Sequence, residues 1–177
     1  MKKVVILLII GVCILSCHKQ KPSPRQSLSG NKTEVSSTNS NNKIAVPYHR
    51  TTSGLAEVQV SLNGVPFNMW WDTGASMTSI STLEFAKLIK EGKISDSDYV
   101  RTMTATIADG TEVEENVYQI KELYLQGEND KYIAIRDIYV SVADNLDAPL
   151  LLGQNAIQQF PSHTFNETKM VIEFDSY

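Results

Sequence analysis

Between Leu55 and Trp71 the sequence alternates apolar and polar residues with a period of two, turns once at Asn63-Gly64, and runs unbroken into Asp72-Thr73-Gly74. Ala56, Val58, Val60 and Leu62 alternate with Glu57, Gln59 and Ser61, while Val65, Phe67, Met69 and Trp71 share one face of the return strand. Asn-Gly supplies the two positive φ angles of a type I′ turn, so this stretch is predicted to be a β-hairpin with one buried face. Its end breaks the pattern. Aspartate and glycine are both poor strand residues, and an acid placed directly after an apolar strand needs a reason in chemistry rather than in packing. The glycine lets the backbone turn sharply, the threonine hydroxyl can bond across to neighbouring backbone, and the carboxylate is left where water is scarce.

The period of two recurs beyond this point. Ser81-Thr82-Leu83-Glu84 is a capping box, followed by Phe85, Ala86, Leu88 and Ile89 at helical spacing and by Gly92 as a stop, which predicts one helix of about ten residues. Alternation resumes at Met103, Ala105 and Ile107, breaks at Asp109-Gly110, and continues from Val113 to Leu125 as a second long hairpin. A turn at Gly127 to Asp130 leads into Ile133, Ile135, Ile138, Val140 and Val142. After Pro149 come Leu150 to Gly153, a short helix from Gln154 to Phe160 stopped by Pro161, and a last hairpin through Asn166-Glu167-Thr168 into Met170, Ile172 and Phe174. The chain therefore reads as mainly β with one or two short helices, and no repeat of fixed period argues for a solenoid or propeller.

The first residues read differently. Lys2 and Lys3 precede an apolar run from Val4 to Leu15, too short to span a bilayer as a mature helix, and the run ends Ile14-Leu15-Ser16-Cys17. This resembles a bacterial lipobox, which implies a signal peptide over residues 1–16, lipidation of Cys17 and a place in the cell envelope facing the periplasm or the exterior. Residues 17–43 are almost purely polar and are expected to be a flexible linker, reaching roughly 25 to 30 Å. Residues 44–177 remain for one folded domain. Both cysteines of the chain, Cys13 and Cys17, lie ahead of it, so the domain can form neither a disulfide nor a thiolate metal site. With 16 basic and 20 acidic residues and no basic cluster on a folded segment, nucleic acid is not an expected partner.

Asp72-Thr73-Gly74-Ala75-Ser76 resembles the catalytic motif of the retropepsin-like (retroviral-type) aspartic proteases. Three further segments are similar to that family in the same order. Ile107-Ala108-Asp109-Gly110-Thr111 looks like the tip of its flap, Leu151-Leu152-Gly153-Gln154-Asn155 resembles its hydrophobic-hydrophobic-Gly segment and following helix, and the last strand resembles its terminal strand. The likeness covers about residues 55 to 174. It implies a closed β-barrel of the acid protease fold, a single lobe, with Asp72 catalytic, Thr73 to Ser76 forming the active-site loop, Ala108, Asp109 and Gly110 in the flap, and Leu151, Leu152 and Gly153 crossing behind the loop. It implies no metal and no cofactor. Ser76 is expected either to bond the outer oxygen of Asp72 or to be a plain surface serine. Trp70 and Trp71 depart from the smaller aliphatic residues usual there. Trp71 is expected to fill core, and Trp70, on the opposite face, to line a dimer contact or a substrate pocket.

Aspartic proteolysis needs two carboxylates sharing a proton, and this chain carries one such motif. The resemblance thus implies a homodimer, acting on an extended peptide, with one Asp72 from each copy. The dimer contact is expected to be built from the Asp72 loops together with the segments Val46 to Thr51 and Met170 to Phe174, which carry β-forming residues without an evident partner inside the subunit. An alternative of another class is a lipoprotein that keeps this fold and grips peptides by strand addition without cutting them. Serine hydrolase and zinc protease chemistry lack support, because neither His49 nor His163 lies in a fitting motif, and both read as surface histidines.

Overall fold

The computed structural model describes residues 34–35, 43–107 and 109–176. The expected signal peptide, the expected lipidation site Cys17, most of the expected linker and the expected flap residue Ala108 lie outside the described residues. Eleven strands are present in the described residues: β1 (Glu34–Val35), β2 (Lys43–Arg50), β3 (Ala56–Leu62), β4 (Val65–Trp71), β5 (Thr78–Ser81), β6 (Tyr99–Thr106), β7 (Glu112–Gln126), β8 (Tyr132–Ala143), β9 (Leu151–Leu152), β10 (His163–Asn166) and β11 (Val171–Asp175). Two helices join them, α1 (Thr82–Lys90) and α2 (Gln154–Ile157).

The first hairpin forms as its sequence requires. Asn63 and Gly64 take φ of 49° and 88°, and β3 pairs β4 antiparallel from Leu62↔Val65 to Glu57↔Trp70. β3 also pairs β7, Val60 lying opposite Leu125. From β4 the pairing passes to β9, then β5, β8 and β7, and so returns to β3. The six strands thus make a ring. It is not a regular barrel, because β9 is two residues long and meets β5 at the single pair Ser79↔Leu151.

Inside the ring, Val58, Val60 and Leu62 of β3, Met69 and Trp71 of β4, Leu123 and Leu125 of β7, and Ile133 and Ile135 of β8 form one buried cluster. Burial of these side chains, each contributing about 1.5–3 kcal/mol, is the main force closing the ring. α1 lies against the cluster through Leu88, its one fully buried residue, with Phe85 packed partly against it. Ser81 caps the helix: Leu83 N–H donates to Ser81 Oγ at 3.0 Å, and the Glu84 carboxylate accepts from the Ser81 hydroxyl rather than from its backbone N–H, so the expected capping box is made only in part.

The ends of the domain overturn one expectation. β2 and β11, which hold all but Thr51 and Met170 of the two segments assigned to a dimer contact, pair with each other within the chain, with Val46 opposite Ile172 and Ile44 opposite Phe174. β11 is bonded on its other side to β10. A strand pattern discloses β-forming residues but not their partner, and here the returning chain supplies it.

Candidate active site

Asp72 follows the last residue of β4. Beside it runs β9, parallel, with Trp70 opposite Leu151 and Trp71 opposite Leu152. Trp70 N–H donates to Leu150 O at 2.8 Å and Asp72 N–H to Leu152 O at 3.0 Å. Past the turn the two segments stay in contact, Gln154 N–H donating to Ala75 O at 2.9 Å and Asn155 N–H to Ser76 O at 3.2 Å. The chain leaves the turn as β5 on the far side of β9. The Asp72 loop therefore wraps around the segment Leu150 to Asn155, which lies between the loop's two arms.

Such a crossing needs a glycine. A Cβ on Gly153 would stand 2.3 Å from the carbonyl carbon and oxygen of Met77 and 2.7 Å from Thr78 N, inside any van der Waals contact. Gly153 N–H donates to the Thr78 hydroxyl at 3.2 Å. Thr78 is in turn held by Asn155, whose Oδ1 accepts from Thr78 N–H at 2.7 Å and from the Thr78 hydroxyl at 2.9 Å, while Asn155 Nδ2 donates to Tyr139 O at 2.7 Å. Gln154 Nε2 reaches Thr73 O at 3.0 Å. Leu151, Leu152 and Gly153 thus stand where the sequence placed them. Thr78 and Asn155 are supports whose pairing, across 77 residues, no spacing rule discloses.

Asp72 is half-buried, and its Oδ1 accepts from Gly74 N–H at 2.8 Å, which turns the carboxylate toward the loop. Thr73, Gly74 and Ser76 are exposed, so the loop presents an open surface beside the acid. Among the described residues the Ser76 hydroxyl makes no bond to Asp72, and Ser76 is exposed.

Behind the acid, Trp71 is buried as expected, against Phe160 at 5.9 Å, His163 at 5.0 Å, Phe165 at 5.8 Å and Phe174 at 6.1 Å between ring centroids. His163 is consequently no surface histidine: it is half-buried in this aromatic cluster, because the terminal hairpin folds back onto Trp71. Trp70 turns the other way and donates from Nε1 to Glu57 Oε1 at 3.2 Å, and Glu57 Oε2 meets His49 Nε2 at 2.8 Å.

The flap segment is the tip of the β6–β7 hairpin. Ile107 N–H donates to Thr111 O and Gly110 N–H to Ile107 O, both at 2.9 Å. Gly110 has φ of 87°. Asp109 Oδ1 accepts from Thr111 N–H at 2.8 Å, and that backbone bond, with a second from the Thr111 hydroxyl, holds the Asp109 carboxyl below its ordinary value. Asp109 is exposed and caps a turn. No hydrogen bond joins the flap tip to the Asp72 loop among the described residues.

Comparison with known proteins agrees with this geometry. The family described as "gag-polyprotein putative aspartyl protease" matches residues 58–159, which run from β3 through the Asp72 loop and the flap to α2. Among solved structures, a retropepsin-like aspartic protease from Rickettsia conorii is similar in fold, with a TM-score of 0.52 and 17% identity over 83% of this chain and 97% of that one. No curated protein matches significantly.

Proposed function

Because the chain belongs to the gag-polyprotein aspartyl protease family, we propose that it is an aspartic endopeptidase working as a homodimer, each copy supplying Asp72. The observation that carries the reading is the crossed loop. It holds a half-buried aspartate at an open surface, with a backbone N–H on one carboxylate oxygen and the exposed residues Thr73, Gly74 and Ser76 beside it.

One such acid is half of the chemistry. Two carboxylates in contact cannot both ionise, so they share a proton. The ionised Asp72 takes a proton from a water molecule, whose oxygen attacks the scissile carbonyl carbon. The protonated Asp72 of the second copy donates to the carbonyl oxygen as the tetrahedral intermediate forms. Transfer of a proton to the amide nitrogen then breaks the C–N bond and frees an amine and an acid. An extended peptide is the substrate class such a site takes, closed over by the β6–β7 hairpin.

The test is to incubate the purified protein and its Asp72→Asn variant with a complex peptide mixture and to identify new termini by mass spectrometry. The wild type should cut and the variant should not. Residual cutting by the variant at even a few per cent of the wild-type rate would refute the mechanism, and peptide binding without cutting by the wild type would favour the non-catalytic alternative. The lipobox-like Ile14-Leu15-Ser16-Cys17 supports tethering to a bacterial membrane through Cys17. Loss of metabolic fatty-acid labelling in Cys17→Ala is the outcome expected.

A further inference from the structure

One unbroken row of paired residues crosses the sheet. Val117 of β7 lies opposite Ser141 of β8, Ser141 opposite Ser79 of β5, Ser79 opposite Leu151 of β9, and Leu151 opposite Trp70 of β4. Residues paired in register project to the same side of a sheet. The chain neighbours of this row, Tyr118, Val140, Ile80, Leu152 and Trp71, all belong to the core cluster or pack against it, so the row itself faces away from the core. Asp72 is two residues beyond Trp70, and both direct their N–H groups at β9, which puts the acid on the face of the row.

Glu115 belongs to the same face. It is two residues before Val117 and opposite Met103, just beyond Asn116↔Val142, the pair at which β7 parts from β8 to become one arm of the β6–β7 hairpin. On one side of that hairpin Thr102, Thr104, Glu112 and Glu114 are exposed, and on the other Met103, Ala105 and Val113 are half-buried. On this second, otherwise apolar side Glu115 is only 8% exposed. Among the described residues its carboxylate has no hydrogen bond and no ion pair. Arg101, opposite Val117 and so diagonal to Glu115 on the same face, is exposed and is not paired with it. A buried carboxylate without a partner is costly and needs an explanation. The fully enclosed polar atoms that lack a partner among the described residues are Tyr48 Oη and Ser61 Oγ, and since the Glu115 oxygens are not among them, they keep an opening to solvent. An acid so placed, nearly buried, unpaired and still reachable, is suited to a cation that arrives from outside.

Resting on the proteolytic reading given above, we propose that Glu115 selects a basic residue in the substrate, its carboxylate taking the ammonium of a lysine or the guanidinium of an arginine in the peptide held between the hairpin and the Asp72 loop. The apolar side chains beside it, Met103, Ala105 and Val113, suit the methylene stem of such a residue. Shielding from water strengthens the charged contact at its end. Glu112 and Glu114, on the other side of the hairpin, stay in solvent and take no part.

The test gives the full chain and its variants a synthetic library of random peptides and counts the residues flanking each cut by mass spectrometry. The wild type should show Lys and Arg enriched at one fixed distance from the cut. Glu115→Gln, which keeps the shape and removes the charge, should lose that enrichment, and Glu115→Lys should replace it with Asp and Glu. Glu114→Gln, on the opposite side of the hairpin, should keep it. For two peptides built on one such site and differing only in Lys against Gln, the ratio of kcat/KM should fall from about tenfold or more in the wild type to about one in Glu115→Gln, because a hydrogen bond to a charged group contributes a factor of that order. Cuts without a basic preference, or a preference that survives Glu115→Gln, overturn the proposal and leave the paired-acid mechanism standing. Equal losses of thermal stability in Glu115→Gln and Arg101→Gln with an unchanged cleavage pattern also overturn it, since Glu115 then serves Arg101 in the fold. If the wild type cuts nothing, the library is passed over the immobilised protein instead. Retention of Lys- and Arg-containing peptides that Glu115→Gln abolishes upholds the basic site while the cleavage reading fails, and no such retention overturns both.

Discussion

Asn155 and Thr78 stand 77 residues apart in sequence and are joined twice, the Asn155 amide oxygen accepting from both the backbone N–H and the hydroxyl of Thr78. Thr78 is fully buried, so neither group has water as a substitute. With the bond from Asn155 Nδ2 to Tyr139 O, one side chain ties β5, β8 and α2 together behind the Asp72 loop.

Asn155→Ala should therefore cost about 1–3 kcal/mol, the penalty for leaving buried partners unsatisfied. Asn155→Asp, which keeps an acceptor for Thr78 but loses the donor to Tyr139, should fall between the two. Urea unfolding followed by circular dichroism reads both. An alanine variant as stable as the wild type would show that the clamp contributes nothing.

Gly153→Ala should be worse than its size suggests, because the added carbon would overlap backbone of Met77 and Thr78 rather than a movable side chain. Opening the crossing to admit it should cost about 3 kcal/mol or more and disturb cleavage as well. Gly54→Ala offers the contrast: φ there is +85° with nothing within 4 Å, so only the backbone penalty, about 1 kcal/mol, is expected. The two midpoints of thermal unfolding decide it, and equal shifts would refute the account.

Trp71→Ala removes the ring on which four others rest and should cost about 3–5 kcal/mol. Trp71→Phe should cost less and keep the hairpin β10–β11 in place. Proton chemical shifts of Phe160 and Phe174, set by the neighbouring indole, should move in both variants. If they do not, the cluster is not formed in solution.

At the flap tip the Asp109 carboxyl lies below its ordinary 3.8 because the Thr111 N–H and hydroxyl favour its charged form. With the folded value lowered, the turn is supported at pH above the unfolded value and loses that support as pH falls through the folded one. The carboxyl carbon resonance of Asp109 and the amide proton of Thr111 should titrate together, at lower pH than a carboxyl in an unfolded peptide. Asp109→Asn should abolish the transition. A Thr111 amide that titrates at the ordinary value would contradict the bond.

Much of this was legible in the residues themselves. Asn63-Gly64 dictates its turn through φ, Ser81 and Glu84 cap α1 through local bonds, and Asp72-Thr73-Gly74 with Leu151-Leu152-Gly153 marks the two halves of the crossing. What stayed hidden depends on distant partners. Val46 and Ile172 are both plain strand residues, and nothing local says that they face each other. The enclosure of His163 by Trp71 and Phe174 likewise arises from a hairpin folding back over residues far away in the chain.

The passage of β9 between β4 and β5 also sets an order in time. A nascent chain that has exposed everything through β8 already carries Asp72, but nothing yet lies between the two arms of its loop. Closing so long a loop is entropically costly and slow, since pairing across a large sequence separation must wait for the chain ends to meet. Whatever activity resides in the Asp72 loop is thus withheld during synthesis until nearly all of the domain has emerged, a delay written into the topology itself.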